Sequence, residues 1–327
     1  MAEPNPGFFS LDLRVNSIAG FGDAGLLVGL VSPWLGRLGD FSWFLDLFAH
    51  FHWQYLIASV VAVPWFAWRR NRWLLAVSVL SLLLNLALIF GLVRSDQYED
   101  APHAESFLRA VSINVRTENK EHAKVVDFLL QADADVVFVM EVDFWWEEKL
   151  QPLKEKYPHH LFEPRVDNFG VAFFSRIPVL KSEIMTLGAA FVPTVVASLE
   201  KGGRHFRLIG VHPVPPSGEE NSRFRNDDLL AYAGLAAEST DPVLLVGDLN
   251  AAPWSRGMRI LTQNGHLRLG NASSAAAPTW MVDTLLRIPI DHALAKRPLV
   301  IMNRSIGPEV GSDHRPIIAD VGWDESH

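Results

Sequence analysis

Two uncharged apolar segments in the first third of this 327-residue sequence restrict its fold more than any other feature. Residues 53–68 and 73–93 contain no charged side chain. The 21 residues of the second segment can cross a hydrocarbon core of about 30 Å as a helix. A short basic loop with Arg69, Arg70 and Arg72 separates the segments, and tryptophans flank it as in an interfacial belt. We interpret the two segments as a hairpin of membrane-spanning helices whose loop faces the cytoplasm.

A third apolar segment, residues 16–35, is a possible further span, which makes residues 1–94 a helical membrane region of two to three spans. Asp23 interrupts this segment, and a charge near the bilayer centre costs roughly 2.5–3.5 kcal/mol on insertion scales. The alternative is a segment that lies in the interface or inserts only in part. Residues 38–52 alternate aromatic side chains with Asp and His, which is typical of a helix lying in the membrane interface opposite the arginine loop.

The arginine loop also predicts an orientation. Short basic loops stay in the cytoplasm, so the second helix of the hairpin returns outward and everything after Arg94 lies outside the cytoplasm. The sequence has no cysteine, which is compatible with an oxidising compartment. We expect a multi-pass protein of the cell (inner) membrane, in contact with the lipid bilayer, with its C-terminal domain on the extracytoplasmic side.

Residues 95–107 are polar and contain Pro102, which predicts a linker, and residues 108–322 form the following domain. In that domain apolar runs of strand type alternate with amphipathic helical patterns, and several strands follow one another directly. This order favours an α/β fold in which two sheets pack face to face with helices outside, a two-sheet sandwich. The predicted strands cover residues 109–115, 135–141, 170–175, 194–200, 205–211, 243–246, 289–295 and 316–321, and the predicted helices cover 118–132, 144–156, 223–238 and 255–264.

Polar residues occur repeatedly at the ends of these strands. Those at or just after a carboxyl end are Asn114, Glu141, His212 and Asp248, and those at or just before an amino end are Asp291, His292, Asp313 and His314. Asn250 follows Asp248 by two residues, so on an extended chain both side chains point the same way, although an Asx-rich turn is an equally simple explanation. Buried carboxylates that converge repel one another unless a cation lies among them. The pattern therefore predicts a hydrolytic site.

Six sequence blocks resemble one known superfamily in order and approximate spacing. They are SINV, VVFVME, VHPVPP, GDLN, IDHALA and GSDHRP, and they span about residues 108–322. Together they are similar to the endonuclease/exonuclease/phosphatase superfamily, whose members have a DNase I-like two-sheet fold and hydrolyse phosphoesters. The spans before this domain resemble a membrane-anchored bacterial subgroup of that superfamily.

The resemblance implies a Mg²⁺ cofactor, with Mn²⁺ as an alternative. Asn114 and Glu141 correspond to the positions that hold the ion, and oxygen ligands suit such a hard cation. Asp313 corresponds to a position near the metal, where it ligates a second ion or its water. One metal or two is left open.

The resemblance also implies catalytic roles. Asp248 corresponds to the residue that orients or deprotonates the attacking water, with Asn250 holding that water or the phosphate. His314 corresponds to a phosphate-binding histidine, and Asp291 to the carboxylate that orients its ring. His212 corresponds to a histidine that assists the leaving group. Whether Asp248 or the His314–Asp291 pair is the general base is left open.

Further residues have weaker assignments. Asn168 resembles a substrate-binding position that contacts the phosphate, whereas Arg176 is better explained by a structural salt bridge. Arg223 and Arg225 are explained as well by a solvated helix face as by substrate contact. His292 is better explained as a strand residue beside Asp291 than as a ligand.

Together these features predict a membrane-anchored, Mg²⁺-dependent phosphoesterase acting on a phosphate ester or pyrophosphate of a lipid or envelope precursor. Residues 100–327 have 30 Asp and Glu against 23 Lys and Arg and no basic run, whereas nonspecific DNA binding relies on basic residues. Nucleic acid is therefore the less favoured partner, and a surface-tethered nuclease is the alternative enzyme. A non-catalytic membrane scaffold is the other alternative, but it would be expected to lack Glu141, Asp248 or His314.

Overall fold

The computed structural model describes residues 18–91, 95–99, 103–281 and 283–325. Residues 16–17 of the possible third span, 92–93 of the second hairpin span, and 100–102 of the predicted linker lie outside the described residues.

The described part of the first third of the chain is helical, as predicted. Its helices are α1 (Ile18–Gly36), α2 (Trp43–Leu47), α3 (His52–Trp68) and α4 (Arg72–Ile89), and a 3-10 turn (Phe48–His50) follows α2. α3 and α4 pack as an antiparallel hairpin around the turn at residues 69–71. Asn71 caps α4, since its side-chain oxygen accepts a hydrogen bond from the Leu74 N–H at 3.1 Å.

The segment 38–52, expected as one interfacial helix, instead contains two short elements, α2 and the 3-10 turn.

The surface of the helical hairpin is apolar and its interior carries polar side chains. Ile57, Val61 and Leu83 are more than half exposed. Between the two helices, Ser59 Oγ donates to Ser81 Oγ at 3.0 Å. Of the described helices, only Arg72–Ile89 is both long and apolar enough to cross a membrane, and 28% of it is buried. The two to three spans therefore remain a prediction.

The rest of the described chain forms two sheets packed face to face, which confirms the predicted two-sheet α/β sandwich. One sheet has the order β10-β11-β1-β2-β4-β3, and the other has the order β5-β6-β7-β8-β9. The strands are β1 (Glu105–Asn114), β2 (Val136–Met140), β3 (His159–Glu163), β4 (Val171–Ser175), β5 (Val179–Thr186), β6 (Pro193–Lys201), β7 (Arg204–Val211), β8 (Val243–Asp248), β9 (Asp291–Ala295), β10 (Leu299–Ile306) and β11 (Ile317–Trp323). The helices are α5 (His122–Gln131), α6 (Phe144–Lys149), α7 (Glu219–Glu238), α8 (Arg256–Asn264) and α9 (Ala272–Ala275), and a second 3-10 turn (Gln151–Glu155) follows α6.

The main core lies between the two sheets. Phe138, Leu208 and Val246 are among the buried apolar residues that meet there. Gly210 is required at this interface, because a Cβ on it would collide with the ring of Phe138. Helices α5 and α6 cover the outer face of the first sheet, and α7 and α8 cover the second.

Strand direction brings the polar strand ends together. β1 and β2 run parallel, as do β7 and β8, so the carboxyl ends of each pair lie at the same end of their sheet. β9 runs antiparallel to β8, and β11 runs antiparallel to β1, so the amino ends of these two strands lie at that same end. Residues at the carboxyl ends of β1, β2, β7 and β8 therefore meet residues at the amino ends of β9 and β11.

The helical region packs directly on the sandwich. Trp53 Nε1 donates to the Ala276 carbonyl at 2.7 Å, and Trp254 Nε1 donates to the Leu88 carbonyl at 3.3 Å. Within the predicted linker, Tyr98 pairs with Leu269 as a β-bridge. The domain thus contacts the first turn of α3 and the last turn of α4, far from the arginine turn.

Candidate active site

Two polar side chains meet where the first two strands end. Asn114 is the last residue of β1, and Glu141 follows β2 directly. Asn114 Nδ2 donates to Glu141 Oε1 at 2.8 Å, and the Thr117 N–H donates to Glu141 Oε2 at 3.2 Å. Glu141 has a φ of 61°, so the chain leaves β2 in a sharp left-handed turn. The carboxylate is thereby turned toward Asn114 and held by neutral donors.

A second group surrounds Asp248 at the end of β8. The pairing of β8 with β9 places Asp248 opposite Asp291. His314 Nδ1 lies 2.9 Å from Asp291 Oδ2, and His314 Nε2 lies 3.7 Å from Asp248 Oδ2. His212 Nε2 is also 3.7 Å from Asp248 Oδ2. One carboxylate oxygen therefore faces two histidines, and all four side chains are buried.

Asn250 belongs to the loop after β8 and lies beyond the strand. Its N–H donates to Asp248 Oδ1 at 2.9 Å, and its Nδ2 donates to the Pro213 carbonyl at 3.0 Å. Its own carbonyl accepts from Arg225 Nη1 at 2.7 Å. Since Asn250 has a left-handed φ of 48°, strand alternation does not place its side chain. Hydrogen bonds bring Asp248 and Asn250 together instead.

Burial and charge set the protonation of the Asp248 group. Burial and the charge of Asp291 raise the pKa of Asp248 to about 8. Burial opposes the charged form of His314, but the attraction of Asp291 and Asp248 outweighs it and raises the pKa of His314 to about 9. Burial also disfavours the ionised form of Asp291, yet attraction to His314 lowers the pKa of this carboxyl. Burial and the charge of His314 lower the pKa of His212 to about 3. Near neutral pH, His314 and Asp291 are a charged pair and His212 is neutral.

This sequence and this arrangement match one family. Residues 111–314, more than half of the chain, match the Endonuclease/Exonuclease/phosphatase family. The chain belongs to that family. Its enzymes hydrolyse phosphoesters, so the protein is classed with the phosphoester hydrolases. No protein of curated function matches the sequence.

Solved structures similar to this Endonuclease/Exonuclease/phosphatase domain cover about two thirds of the chain. An endonuclease/exonuclease/phosphatase from Bacteroides vulgatus has a TM-score of 0.55 and 19% identity, over 67% of this chain and 100% of that one. The human nocturnin catalytic domain with bound sulfate has a TM-score of 0.55 and 18% identity, over 69% and 97% of the two chains. A beta toxin variant from Staphylococcus aureus with bound magnesium ions has a TM-score of 0.51 and 18% identity, over 67% and 100%. These likenesses establish a shared fold.

Two further predicted residues lie at the rim of the candidate site. Asp313 Oδ2 accepts a hydrogen bond from Trp280 Nε1 at 3.1 Å, and the Trp280 and His314 rings have their centroids 6.2 Å apart. Asn168 is exposed and has a left-handed φ of 66°. The ring of its neighbour Phe169 lies 5.2 Å from that of His212, between centroids, so this loop borders the site.

The remaining predictions have mixed outcomes. Arg176 forms the expected structural salt bridges with Asp133 and Asp135. His292 is a buried residue of β9, as expected, and its Nε2 lies 3.1 Å from the Pro289 carbonyl. Arg223 is exposed, in agreement with a solvated helix face, but that explanation is wrong for Arg225, which is buried.

The donor atoms of the site suit a cation. Glu141, Asp248, Asp291 and Asp313 place four carboxyl groups around the single charged ring of His314. Among the described residues, ligand atoms of Asp248, Asp291 and His314 all lie within 4.8 Å of one another, close enough to hold a metal ion. The bond between His314 and Asp291 already engages two of those three groups, whereas Glu141 and Asn114 offer the oxygens that Mg²⁺ prefers. Burial raises the pKa of Glu141, although hydrogen bonds from Asn114 and Thr117 and the charge of His314 oppose that shift.

Sequence reasoning missed three residues at this site. Thr117 holds Glu141, Phe169 contacts His212, and Trp280 donates to Asp313. None of them lies at the end of a strand. A weak signal was available for Phe169 alone, since it follows Asn168 in a predicted phosphate-binding block.

Proposed function

We propose that this protein is a Mg²⁺-dependent phosphoesterase that uses water as the nucleophile. The observation that carries the proposal is the position of Asp248 Oδ2, 3.7 Å from Nε2 of both His212 and His314, with all three side chains buried. Such a convergence of a carboxylate and two histidines supplies an acceptor for a water proton and two donors for phosphoryl oxygens. A non-catalytic scaffold has no need to bury these groups together, since burial of carboxylates is costly.

In the proposed reaction, the ionised form of Asp248 is the general base. It takes a proton from water as the water oxygen bonds to phosphorus, and the bond from phosphorus to the leaving oxygen breaks. His314 is charged, so it cannot accept that proton, and it stabilises the phosphoryl oxygens instead. Asp291 orients the His314 ring through the 2.9 Å bond to Nδ1. Neutral His212 donates a hydrogen bond to the leaving oxygen, and Asn250 and Asn168 position the phosphate.

Glu141 and Asn114 would hold the Mg²⁺ or Mn²⁺ ion, with Asp313 nearby. In the structure Asn114 turns its amide nitrogen to Glu141, so its side chain must rotate to offer oxygen. A bound cation would neutralise phosphate charge and lower the pKa of Asp248 toward neutrality, where a general base is most effective.

We further propose that the protein is a multi-pass inner-membrane protein of the membrane-anchored bacterial subgroup. The exposed apolar surface and polar interior of the α3–α4 hairpin support this, because lipid-facing helices have that distribution. The arginines at residues 69–72 lie at one end of the hairpin and the enzyme domain at the other. A cytoplasmic arginine turn would place the domain on the extracytoplasmic side.

The proposed substrate is a phosphate ester or pyrophosphate on a membrane lipid or envelope precursor. The loop that contains Asn250 continues into Ala252 and Trp254, which pack against Ala49 in the 3-10 turn before α3 and against Ile89 at the end of α4. The active-site loop is therefore next to the plane where headgroups would lie. A surface-tethered nuclease is the competing function.

The experiment is to measure kcat/KM of the purified full chain in mixed micelles. Lipid pyrophosphates, phospholipids, soluble phosphomonoesters and phosphodiesters, and plasmid DNA are compared at matched Mg²⁺. We expect a lipid phosphate to be preferred and EDTA to abolish turnover. Plasmid nicking at about 10⁴ M⁻¹s⁻¹ or more with every lipid inert would make the nuclease correct. No turnover of any substrate, with Mg²⁺ or Mn²⁺, would favour the scaffold.

A further inference from the structure

An aspartate of the helical region is buried in the enzyme domain. Asp46 lies in α2, and its side chain is 4% exposed. Its Oδ2 is 3.0 Å from Arg225 Nη2, and the Arg225 side chain is 1% exposed. Its Oδ1 accepts the Arg256 N–H at 2.7 Å, at the first residue of α8. One carboxylate thus contacts both α7 and α8.

Arg225 passes this contact to the active site. While Nη2 binds Asp46, Nη1 donates to the Asn250 carbonyl at 2.7 Å. Asn250 in turn donates its N–H to Asp248, the proposed general base. A single guanidinium group therefore links Asp46 to the backbone of the loop after β8, which we call the catalytic loop.

The helical region holds the catalytic loop, residues 249–255, near its start, at Trp254 and directly after its end. Asp46 holds Asn250 through Arg225 at the start of the loop and Arg256 directly after its end. Between them, Trp254 packs on His52, with ring centroids 4.6 Å apart.

We propose that the helical region completes the active site, and that Asp46 is a positioning residue that fixes the catalytic loop through Arg225. A buried ion pair contributes little net stability, because desolvation of both charges offsets their attraction. This pair instead fixes the position of the planar Arg225 guanidinium. The guanidinium donates to Asp46 and to the carbonyl of Asn250, whose N–H donates to Asp248. The inference rests on the proposed phosphoesterase function for its kinetic readout, and on the fold alone for its structural readout.

The test is Asp46→Asn in the full chain in detergent, with the soluble substrate bis(4-nitrophenyl) phosphate. The substitution preserves Oδ1 for Arg256 but removes the charge that orients Arg225. We expect kcat per folded molecule to fall on the order of 10- to 100-fold, as for a displaced catalytic group, with KM within about twofold. Amide hydrogen exchange should become faster across residues 249–255 and stay unchanged in β2.

The matched control is Asp40→Asn. Asp40 also joins the helical region to the domain, with Oδ1 2.8 Å from Arg259 Nη2, but this pair is more exposed. Arg259 contacts the catalytic loop only at its far end, where Nη1 donates to the Trp254 carbonyl at 3.1 Å, and it does not contact Asn250. The kcat of Asp40→Asn should equal that of the wild type. Arg225→Lys is the second variant, because lysine retains the charge but cannot bridge Asp46 and Asn250 as a planar fork.

The outcomes separate the two proposals. Unchanged kcat and unchanged loop exchange in Asp46→Asn would overturn the inference, as would an equal loss of kcat in Asp40→Asn. If Asp46→Asn does not fold, Arg225→Lys is judged by the same criteria. If the wild type turns over no phosphoester, the proposed function fails, and loop exchange in the variants alone decides the role of Asp46.

Discussion

At Asp248 the surroundings of one side chain account for most of the proposed chemistry. The carboxylate is buried opposite Asp291, and its Oδ2 faces two imidazoles. In water such a group would be fully ionised and unremarkable as a base. Inside the sandwich, burial and a neighbouring negative charge raise its pKa to about 8, and the same two carboxylates keep His314 protonated.

Removal of either group should abolish most of the activity. We expect Asp248→Asn or His314→Ala to lower kcat by about 10²–10⁴-fold, the usual contribution of positioned acid–base groups. His205→Ala on β7 is the control, because His205 is exposed and outside the site. Steady-state kinetics on variants with native circular dichroism is the measurement. Near-normal turnover in a folded variant would remove that residue from the mechanism.

The same pKa values predict how stability depends on pH without metal. His314 has its pKa raised from 6.5 to about 9, so its stabilisation is complete below pH 6.5 and is lost as pH rises through 9. Asp248, raised from 3.8 to about 8, changes in the same direction. In EDTA the melting temperature should therefore fall between pH 6.5 and 9, and added Mg²⁺ should reverse the fall.

Calorimetry in detergent would test this pH dependence. His314→Ala should make the fall smaller over that interval and leave the part that comes from Asp248. A melting temperature in EDTA that is constant or rises with pH would contradict the assigned protonation states.

At the scale of elements, strands with apolar runs were predicted, including the edge strand β9, but the other three edge strands of the described sheets were not. β3, β5 and β10 were all missed, and each lies at the edge of its sheet. β5 is at most half-buried along its length and has no continuous apolar run, because one of its sides has no neighbouring strand. An edge strand depends on its partner for most of its definition, so its own sequence carries a weak signal.

Gly247, the residue before the last in β8, is required where the strand leads into the catalytic loop. Its φ is 150°, and a Cβ there would collide with the Val211 carbonyl of β7. We expect Gly247→Ala to lower the free energy of unfolding by about 2–4 kcal/mol through strain and overpacking. Gly234→Ala in α7 is the control: a Cβ there meets open space, so it should be neutral or stabilising by up to about 1 kcal/mol. Thermal unfolding compares them, and equal stability would refute the steric argument.

At the scale of the whole molecule, the helical region and the sandwich share an interface. Besides the Asp46–Arg225 pair, Gln54 Nε2 donates to the carbonyls of Leu285 and Arg287 at 3.1 and 3.0 Å. The loop before β9 and the loop after β8 are thus both attached to the same end of the helices. If the helices span a membrane, the active site has a defined height above it.

This arrangement predicts the topology. Alkaline phosphatase fused after residue 327 should be active, because the Arg69–Arg72 turn is expected in the cytoplasm and the domain at the other end of the helices. The matched fusion placed within the arginine turn should be inactive. A fluorescent protein that matures only in the cytoplasm, and fluoresces at the C-terminus, would reverse the orientation.

The sequence by itself determined the two-sheet class and most of the candidate site. Apolar runs indicate strands whatever surrounds them, and a polar residue at the end of such a run lies at the end of a strand, where the chain leaves the sheet. Asn114, Glu141, His212, Asp248, Asp291 and His314 were all found in this way.

Only the tertiary structure decided how the helical region meets that site. Asp46 and Arg225 are 179 residues apart, and no local pattern links them. Helical spacing does place Arg225 on the apolar face of α7, four residues before the buried Leu229, but periodicity cannot say what such an arginine contacts. The partner of a buried charge is chosen by how distant elements pack, and that information exists only in the folded chain.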